Sequence, residues 1–371
     1  MPCGAIYKPK NCKKASLETM KNIEDFERCA PALLDPLSRD YIWAGSGNQQ
    51  TLWENKEAYK RIWIKKRVLR RMVNYTSETT VLGQKVGLPI GIAPTAGHTL
   101  FHPEGERGTI EGASSMGAIM ILNSLSLRSL EQVASYVPAE TVKWMQTYIY
   151  PNRNIVIDIV RRAEKAGYSA LVVTVDEPYE FEIRCNVRSR FFEREVYVGF
   201  PNIRAGVDEI VADPSLTFHD IAWLVNITRL PIVVKGIMTA EDAKLAAEAG
   251  ASAIYVSNHG GRELDGCLPT IEVLHEIVST VNSAYPLIEV YVDGGIRSGS
   301  DVFKALALGA KAVFVGRPAL WGLTMKGKEG VKKVLSILKQ EFTEVMIHAG
   351  FNNPTQITYS SVVKKQSCSP Y

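Results

Sequence analysis

Eight short apolar runs recur at near-regular intervals, each closed by glycine, proline or a polar residue: Pro89–Pro94, Ala118–Ser124, Val142–Tyr148, Ala170–Asp176, Pro231–Gly236, Ala253–His259, Glu289–Gly295 and Ala312–Pro318. They are apolar throughout rather than at alternate positions. That pattern is what strands covered on both faces require, and such strands belong to parallel sheets. Amphipathic stretches separate them. Val156, Ile159, Val160 and Ala163 fall at i, i+3, i+4 and i+7, as do Ala243, Ala246, Ala247 and Gly250, with Thr239 placed to cap the second stretch. Alternating strands and helices predict an α/β fold, a (β/α)8 TIM barrel. The rival is an open doubly wound sheet, but no G-x-G-x-x-G opens a helix after the first run.

A chain of 371 residues, 46% hydrophobic, can bury one large core, so a single barrel domain is expected. Residues 1–75 are read as a helical segment covering one end, 76–350 as the barrel and 351–371 as a polar tail. The basic stretch Lys60 to Arg71, which also holds Trp63, Ile64, Val68 and Leu69, is read as one helix with a solvated face. Val331, Val334, Leu335, Leu338 and Phe342 mark the last amphipathic helix. The segment from Glu177 to about Thr217 is too long for an ordinary connection, and in a barrel enzyme such a loop is expected over the active site.

A formal charge of +4 over this length argues against a nucleic-acid surface. The cysteines Cys3, Cys12, Cys29, Cys185, Cys267 and Cys368 show neither C-x-x-C nor metal spacing, so a reducing compartment, no disulfide framework and no metal site are expected. No apolar run reaches bilayer length and no signal core follows Met1, so the expectation is a cytoplasmic protein without a transmembrane segment. The end, Ser369-Pro370-Tyr371, is not the peroxisomal Ser-Lys-Leu address.

Chemistry concentrates where the runs end. Ser257-Asn258-His259-Gly260-Gly261-Arg262 places an imidazole, suited to taking a proton near neutral pH, beside a guanidinium that can grip a carboxylate. Its plain alternative is a loop histidine with a surface arginine. Asp176 closes the fourth run and could orient that imidazole, or simply cap a helix. Lys235 stands in the otherwise apolar fifth run and needs an anionic or dipolar partner. Asp293-Gly294-Gly295-Ile296-Arg297 and Gly316-Arg317 follow the seventh and eighth runs, the usual phosphate position in a barrel.

Taken with Ala93-Pro94-Thr95-Ala96, His102-Pro103-Glu104-Gly105-Glu106, Val234-Lys235-Gly236 and Phe303–Ala310, these segments resemble the FMN-dependent 2-hydroxy-acid oxidases and dehydrogenases, from about Asp25 to about Gly350. The resemblance implies FMN as cofactor. It puts the main chain of Pro94, Thr95 and Ala96 against the flavin ring, with Asn123, Gln146, Thr174, Lys235 and Ser257 at its edges. Asp293, Gly294, Gly295, Arg297, Gly316 and Arg317 would hold the ribityl chain and phosphate. His259 would take a proton from substrate, backed by Asp176, with Tyr41, Tyr148 and Arg262 around the substrate carboxylate and hydroxyl. The implied reaction oxidises a small 2-hydroxy acid to the 2-oxo acid and reduces O2 to H2O2, in a homo-oligomer; peroxisomal relatives are known in such a family.

Departures at four positions set this chain apart from the family, and together they point to an altered substrate pocket. Where the family carries a carboxylate-binding arginine, an ungapped reading gives Ile183, with Arg184 one place later. Glu177 replaces a family threonine, and Asn123 replaces a common serine. Leu125 stands where glycolate oxidases often have an aromatic ring. Weak activity on glycolate and better activity on a bulkier or less acidic substrate are therefore expected. Two alternatives stay open: a family dehydrogenase or non-carboxylate alcohol oxidase using another acceptor, and a weakly catalytic FMN-binding protein. Retention of His259, Asp176, Tyr148 and Arg262 argues against the last, because FMN binding needs none of them.

Overall fold

The computed structural model describes Cys12 and residues 16–178, 199–204 and 213–364. Three short helices come first: α1 (Ile23–Cys29), α2 (Pro36–Trp43) and α3 (Gln50–Glu57). Local chemistry starts two of them. Asn22 accepts from the Asp25 amide to cap α1, and Asp35 accepts from Leu37 and Ser38 ahead of a proline-led α2. Then come β1 (Ile62–Ile64) and the hairpin strands β2 (Thr79–Val81) and β3 (Gln84–Val86).

The eight apolar runs form β4 (Ile90–Ile92), β5 (Met120–Leu122), β6 (Lys143–Thr147), β7 (Leu171–Thr174), β8 (Ile232–Ile237), β9 (Ala253–Val256), β10 (Glu289–Val292) and β11 (Ala312–Val315). They close in chain order into a parallel barrel, with β11 pairing back onto β4. The surrounding helices are α4 (Gly105–Ser114), α5 (Leu130–Ser135), α6 (Arg153–Lys165), α7 (Phe218–Ile227), α8 (Ala240–Glu248), α9 (Thr270–Ala284), α10 (Gly299–Ala307) and α11 (Arg317–Ala349). Val156, Ile159, Val160 and Ala163 are the buried face of α6, and Thr239 caps α8 through the Asp242 amide, as their spacing predicts. The α11 axis breaks at Lys326 and Gly327, and the face from Val331 to Phe342 is buried beyond the break.

The barrel interior is filled by side chains. Trp144, Tyr255, Tyr291 and Phe314 meet there with ring centroids 5.1–6.4 Å apart. A Cβ at Gly91 would strike the Phe314 ring, so glycine at that point of β4 makes room for it. The β2–β3 hairpin closes the N-terminal end: Val81 and Val86 pack onto the aromatic group, and the Leu82 amide donates to Glu289 at the start of β10.

Four features differ from the sequence reading. The basic stretch is not one helix: residues 58–61 make a turn of 3-10 helix, and β1 follows with Ile62 buried and Trp63 exposed. The Ile-Trp-Ile alternation has period two, and Leu69 at φ 56° is incompatible with a continuing helix. The segment past residue 350 does not trail away, because β12 (Val362–Lys364) pairs antiparallel with β1. Its anchors, Ile357 and Val362, are too few to stand out in a polar stretch. The hairpin β2–β3 carries no strong strand signal, being three residues per strand. Finally, Cys12 and Cys29 form a disulfide, with their Cα atoms 5.4 Å apart. Their 17-residue separation has no motif to betray it. Among the described residues, no helix is long and apolar enough to cross a membrane.

Candidate functional site

The polar residues gather at the C-terminal end of the barrel. Beyond β9 the chain turns through three consecutive positive φ values, 54° at His259, 66° at Gly260 and 75° at Gly261. Two of these positions suit only glycine readily, and the third holds a non-glycine residue in a disfavoured region, as functional turns often do. The turn aims His259 at Asp176: Nδ1 lies 3.0 Å from Oδ1, while the His259 amide donates to the Ser257 hydroxyl. Burial lowers the imidazole pKa most, and Lys235 opposes protonation too; Asp176, joined by Glu263, outweighs both, so His259 lies above its ordinary value. Asp176 is itself pushed up by burial, but Lys235 and His259 hold it below the ordinary carboxylate range.

Lys235 is only 3% exposed, with Nζ 3.8 Å from Asp176 Oδ2 and 5.8 Å from the centre of the Tyr255 ring. The adjacent Gly236, at φ 115°, has no room for a Cβ because Asp176 packs against it. Across the mouth, the amide of Gln146 donates to Thr174 Oγ1 at 3.0 Å, and its carbonyl accepts from the Ser124 amide. Asn123 accepts from the Leu125 amide and is nearly buried. The turn Pro94–Thr95–Ala96 after β4 is half-buried, propped by Thr95 Oγ1 at 2.6 Å from His98 Nε2.

The expected phosphate end is strongly cationic. Arg317 donates to the main-chain carbonyls of Ile42, Gly260 and Ala44, and Arg262 donates to those of Tyr41 and Ala44. The Arg262 guanidinium also lies 4.8 Å from the centre of the Tyr41 ring. Arg297 pairs with Glu27 at 3.1 Å and stacks over Trp321. Burial, followed by repulsion from Arg262 and Arg297, pulls Arg317 down to about 9. Asp293 accepts from Tyr255 through Oδ2, while its buried Oδ1 has no hydrogen-bond partner among the described residues. Gly294 and Gly295 both adopt positive φ, 92° and 82°.

The structure thus brings together His259, Asp176, Tyr148, Lys235, Gln146, Thr174 and Ser257 at one end. It ties Arg262, Arg317 and Arg297 to main-chain carbonyls and Glu27, contacts that sequence could not foresee. Arg184, with Ile183, falls outside the described residues. Sequence reasoning misses two acids. Glu177 accepts a hydrogen bond from Tyr148, whose phenol is raised far above its ordinary value by burial first and by Glu177 second. Glu263 sits with Oε1 3.8 Å from His259 Nδ1. The available signal for Glu263 is its place four residues after His259 in the same turn; Glu177 stands out in the sequence only as a departure.

These residues fit FMN. A buried guanidinium destabilised by two like charges is completed by an anion such as a phosphate, and an orphaned carboxylate oxygen on Asp293 is completed by a hydroxyl donor. Lys235 at the strand end supplies a fixed positive charge where an electron-rich ring would need it.

Comparison with known proteins agrees. The family of FMN-dependent dehydrogenases matches residues 30–364. The chain is 43% identical to mouse 2-hydroxyacid oxidase 1 over 92% of its length and 96% of the relative's. Identity to spinach glycolate oxidase is 41%, covering 92% and 95%. Among solved structures, a flavocytochrome b2 variant with pyruvate bound superposes with a TM-score of 0.87 at 33% identity, covering 94% of this chain and 88% of that one. A mandelate oxidase variant with (S)-mandelic acid gives 0.83 at 38% identity, covering 91% and 97%. A family match over most of the chain, with relatives 43% and 41% identical covered nearly end to end, shows that the chain belongs to the FMN-dependent dehydrogenase family, within its 2-hydroxyacid oxidase branch.

Proposed function

We propose that the protein oxidises a small 2-hydroxy acid to the 2-oxo acid, passing two electrons through FMN to O2, which leaves as H2O2. The observation that carries this reading is the His259–Asp176 hydrogen bond at the barrel mouth, with Lys235 buried beside it. FMN, when bound, supplies the two-electron acceptor. His259 Nε2 takes a proton from substrate while Asp176 holds the Nδ1 proton, fixing the tautomer and steadying the imidazolium. Arg262, Tyr41 and Tyr148 surround the carboxylate and hydroxyl. Arg262 must trade its main-chain carbonyl partners for the substrate, a swap that favours carboxylates because a charged acceptor binds guanidinium more strongly.

The cofactor contacts belong to the same proposal. Main chain at Pro94, Thr95 and Ala96 faces the ring, and Asn123, Gln146, Thr174, Ser257 and Lys235 address its edges. Asp293, Gly294, Gly295, Arg297, Gly316 and Arg317 take the ribityl chain and phosphate. A homo-oligomeric assembly is part of the proposal, supported by family membership alone.

The test is anaerobic mixing of FMN-loaded protein with a panel of 2-hydroxy acids of increasing bulk. The visible flavin band should bleach, and readmitted oxygen should restore it with formation of peroxide. No bleaching by any 2-hydroxy acid overturns the substrate class. Bleaching that oxygen fails to reverse replaces O2 with another acceptor. Arg317→Ala should weaken FMN binding by about tenfold or more, the worth of one charge-assisted hydrogen bond. Flavin fluorescence quenching on apoprotein reads this directly, with circular dichroism as a check on folding. An unchanged Kd removes Arg317 from the phosphate site.

A further inference from the structure

Two carboxylates, not one, address the inner nitrogen of the candidate base. His259 Nδ1 is 3.0 Å from Asp176 Oδ1 and 3.8 Å from Glu263 Oε1. The two acids arrive from different elements: Asp176 follows β7, whereas Glu263 lies in the same turn as His259. Glu263 is 13% exposed at its side chain, and its second oxygen, Oε2, is buried with no hydrogen-bond partner among the described residues. Ligand-competent atoms of Glu177, His259 and Glu263 all lie within 4.8 Å of one another, so three acids crowd one imidazole.

We propose that Glu263 is a positioning residue of the reaction. Its carboxylate is a second anionic neighbour of His259 Nδ1, and together with Asp176 it decides at what pH the ring is free to accept a proton from substrate. The inference rests on the proposed role of His259 as the base.

The charges around Glu263 can be enumerated. His259 and Arg262 share its turn, Asp176 and Glu177 approach from the end of β7, and Lys235 on β8 acts on the same imidazole. Burial, assisted by Glu177 and Asp176, pushes Glu263 up to about 7 against the pull of His259 and Arg262. Glu263 therefore changes charge near neutral pH, beside an imidazole held above its ordinary value. The two sites titrate as a coupled pair, and macroscopic values belong to both. The sign follows from electrostatics. Ionised Glu263 favours the imidazolium, which cannot accept a proton, so it moves the acid limb of activity upward.

Glu263→Gln keeps the shape and removes the charge. A unit charge at this distance shifts a neighbour by about one pH unit even with water's screening, and by more in a buried site. The acid limb of kcat/KM, followed by anaerobic flavin reduction, should move down by that amount, while Glu263→Asp, which restores the charge, should return it toward the original position. The imidazole signal of His259, assigned by comparison with His259→Gln in substrate-free, FMN-loaded protein, should titrate lower in Glu263→Gln by the same shift. This second readout needs no turnover, so it tests Glu263 even where no 2-hydroxy acid reduces the flavin. If the His259 signal and the acid limb in folded, FMN-retaining Glu263→Gln coincide with those of the unaltered protein, the proposal is wrong. It is equally wrong if Glu263→Asp moves them as far as Glu263→Gln does.

Discussion

Flavin reduction in His259→Ala is expected to fall by about a hundredfold or more, the lower range for removing a positioned general base, while FMN remains bound. Among the described residues at the barrel mouth, His259 is the imidazole placed on a carboxylate, and none of its hydrogen bonds goes to the cationic end where Arg317 and Arg297 lie. Binding and proton transfer should therefore separate: the variant purifies yellow, with an FMN Kd near that of the unaltered protein, and loses rate. The loss should appear in kcat and kcat/KM together, because the proton moves only as the transition state forms. Asp176→Asn should also lose rate, since an amide oxygen can accept from Nδ1–H but cannot steady the imidazolium. It would also leave Lys235 without its anionic neighbour, which adds a cost that His259→Ala does not carry. Near-wild-type reduction by His259→Ala would refute the assignment of the base.

The largest stability effect is expected far from the site, in Gly330→Ala. The two halves of α11 fold back on each other at the Lys326–Gly327 break, and a Cβ at Gly330 would overlap the Gly322 carbonyl oxygen. Main chain cannot step aside as a flexible side chain can. α4 also leans on this junction, with Gly112 meeting the Lys328 carbonyl and Val331. Overpacking of this kind costs about 1–3 kcal/mol and more where backbone must shift. A helix propensity gain of about 1 kcal/mol for alanine over glycine is too small to offset it. Thermal unfolding followed by circular dichroism should show a clearly lowered Tm, or no folded protein at all. A Tm equal to that of the parent would mean that the two half-helices separate freely, contrary to the close packing described.

The barrel is legible in the sequence because its strands are buried on both faces: Leu171–Thr174 and Ala253–Val256 are apolar nearly from end to end, and all are fully covered. Their C-terminal residues then have to carry the chemistry, so His259, Asp176 and Lys235 can be singled out before any distance is known. What stays hidden depends on meetings between distant segments. Nothing in Val362-Val363-Lys364 says that it pairs with Ile62–Ile64, near the other end of the chain. Nor does Cys12 announce Cys29. The grip of Arg317 on carbonyls near Ala44 is hidden for the same reason: main-chain acceptors have no sequence signature. Glu263 escapes sequence reasoning for a different cause. An acid beside an arginine in a turn reads as surface, and only the fold shows it turned inward onto the imidazole.

The filled barrel interior has a consequence for traffic. Trp144, Tyr255, Tyr291 and Phe314 leave no passage along the axis, and the β2–β3 hairpin seals the far end. The reacting end is a cul-de-sac. On the proposed function, substrate, oxygen and the 2-oxo acid would all share the C-terminal end of the barrel. A lingering product would then stand in the way of the next substrate and of oxygen alike. Inhibition by the 2-oxo acid should accordingly be competitive towards the hydroxy acid in reduction, and should also slow reoxidation of the flavin it shields.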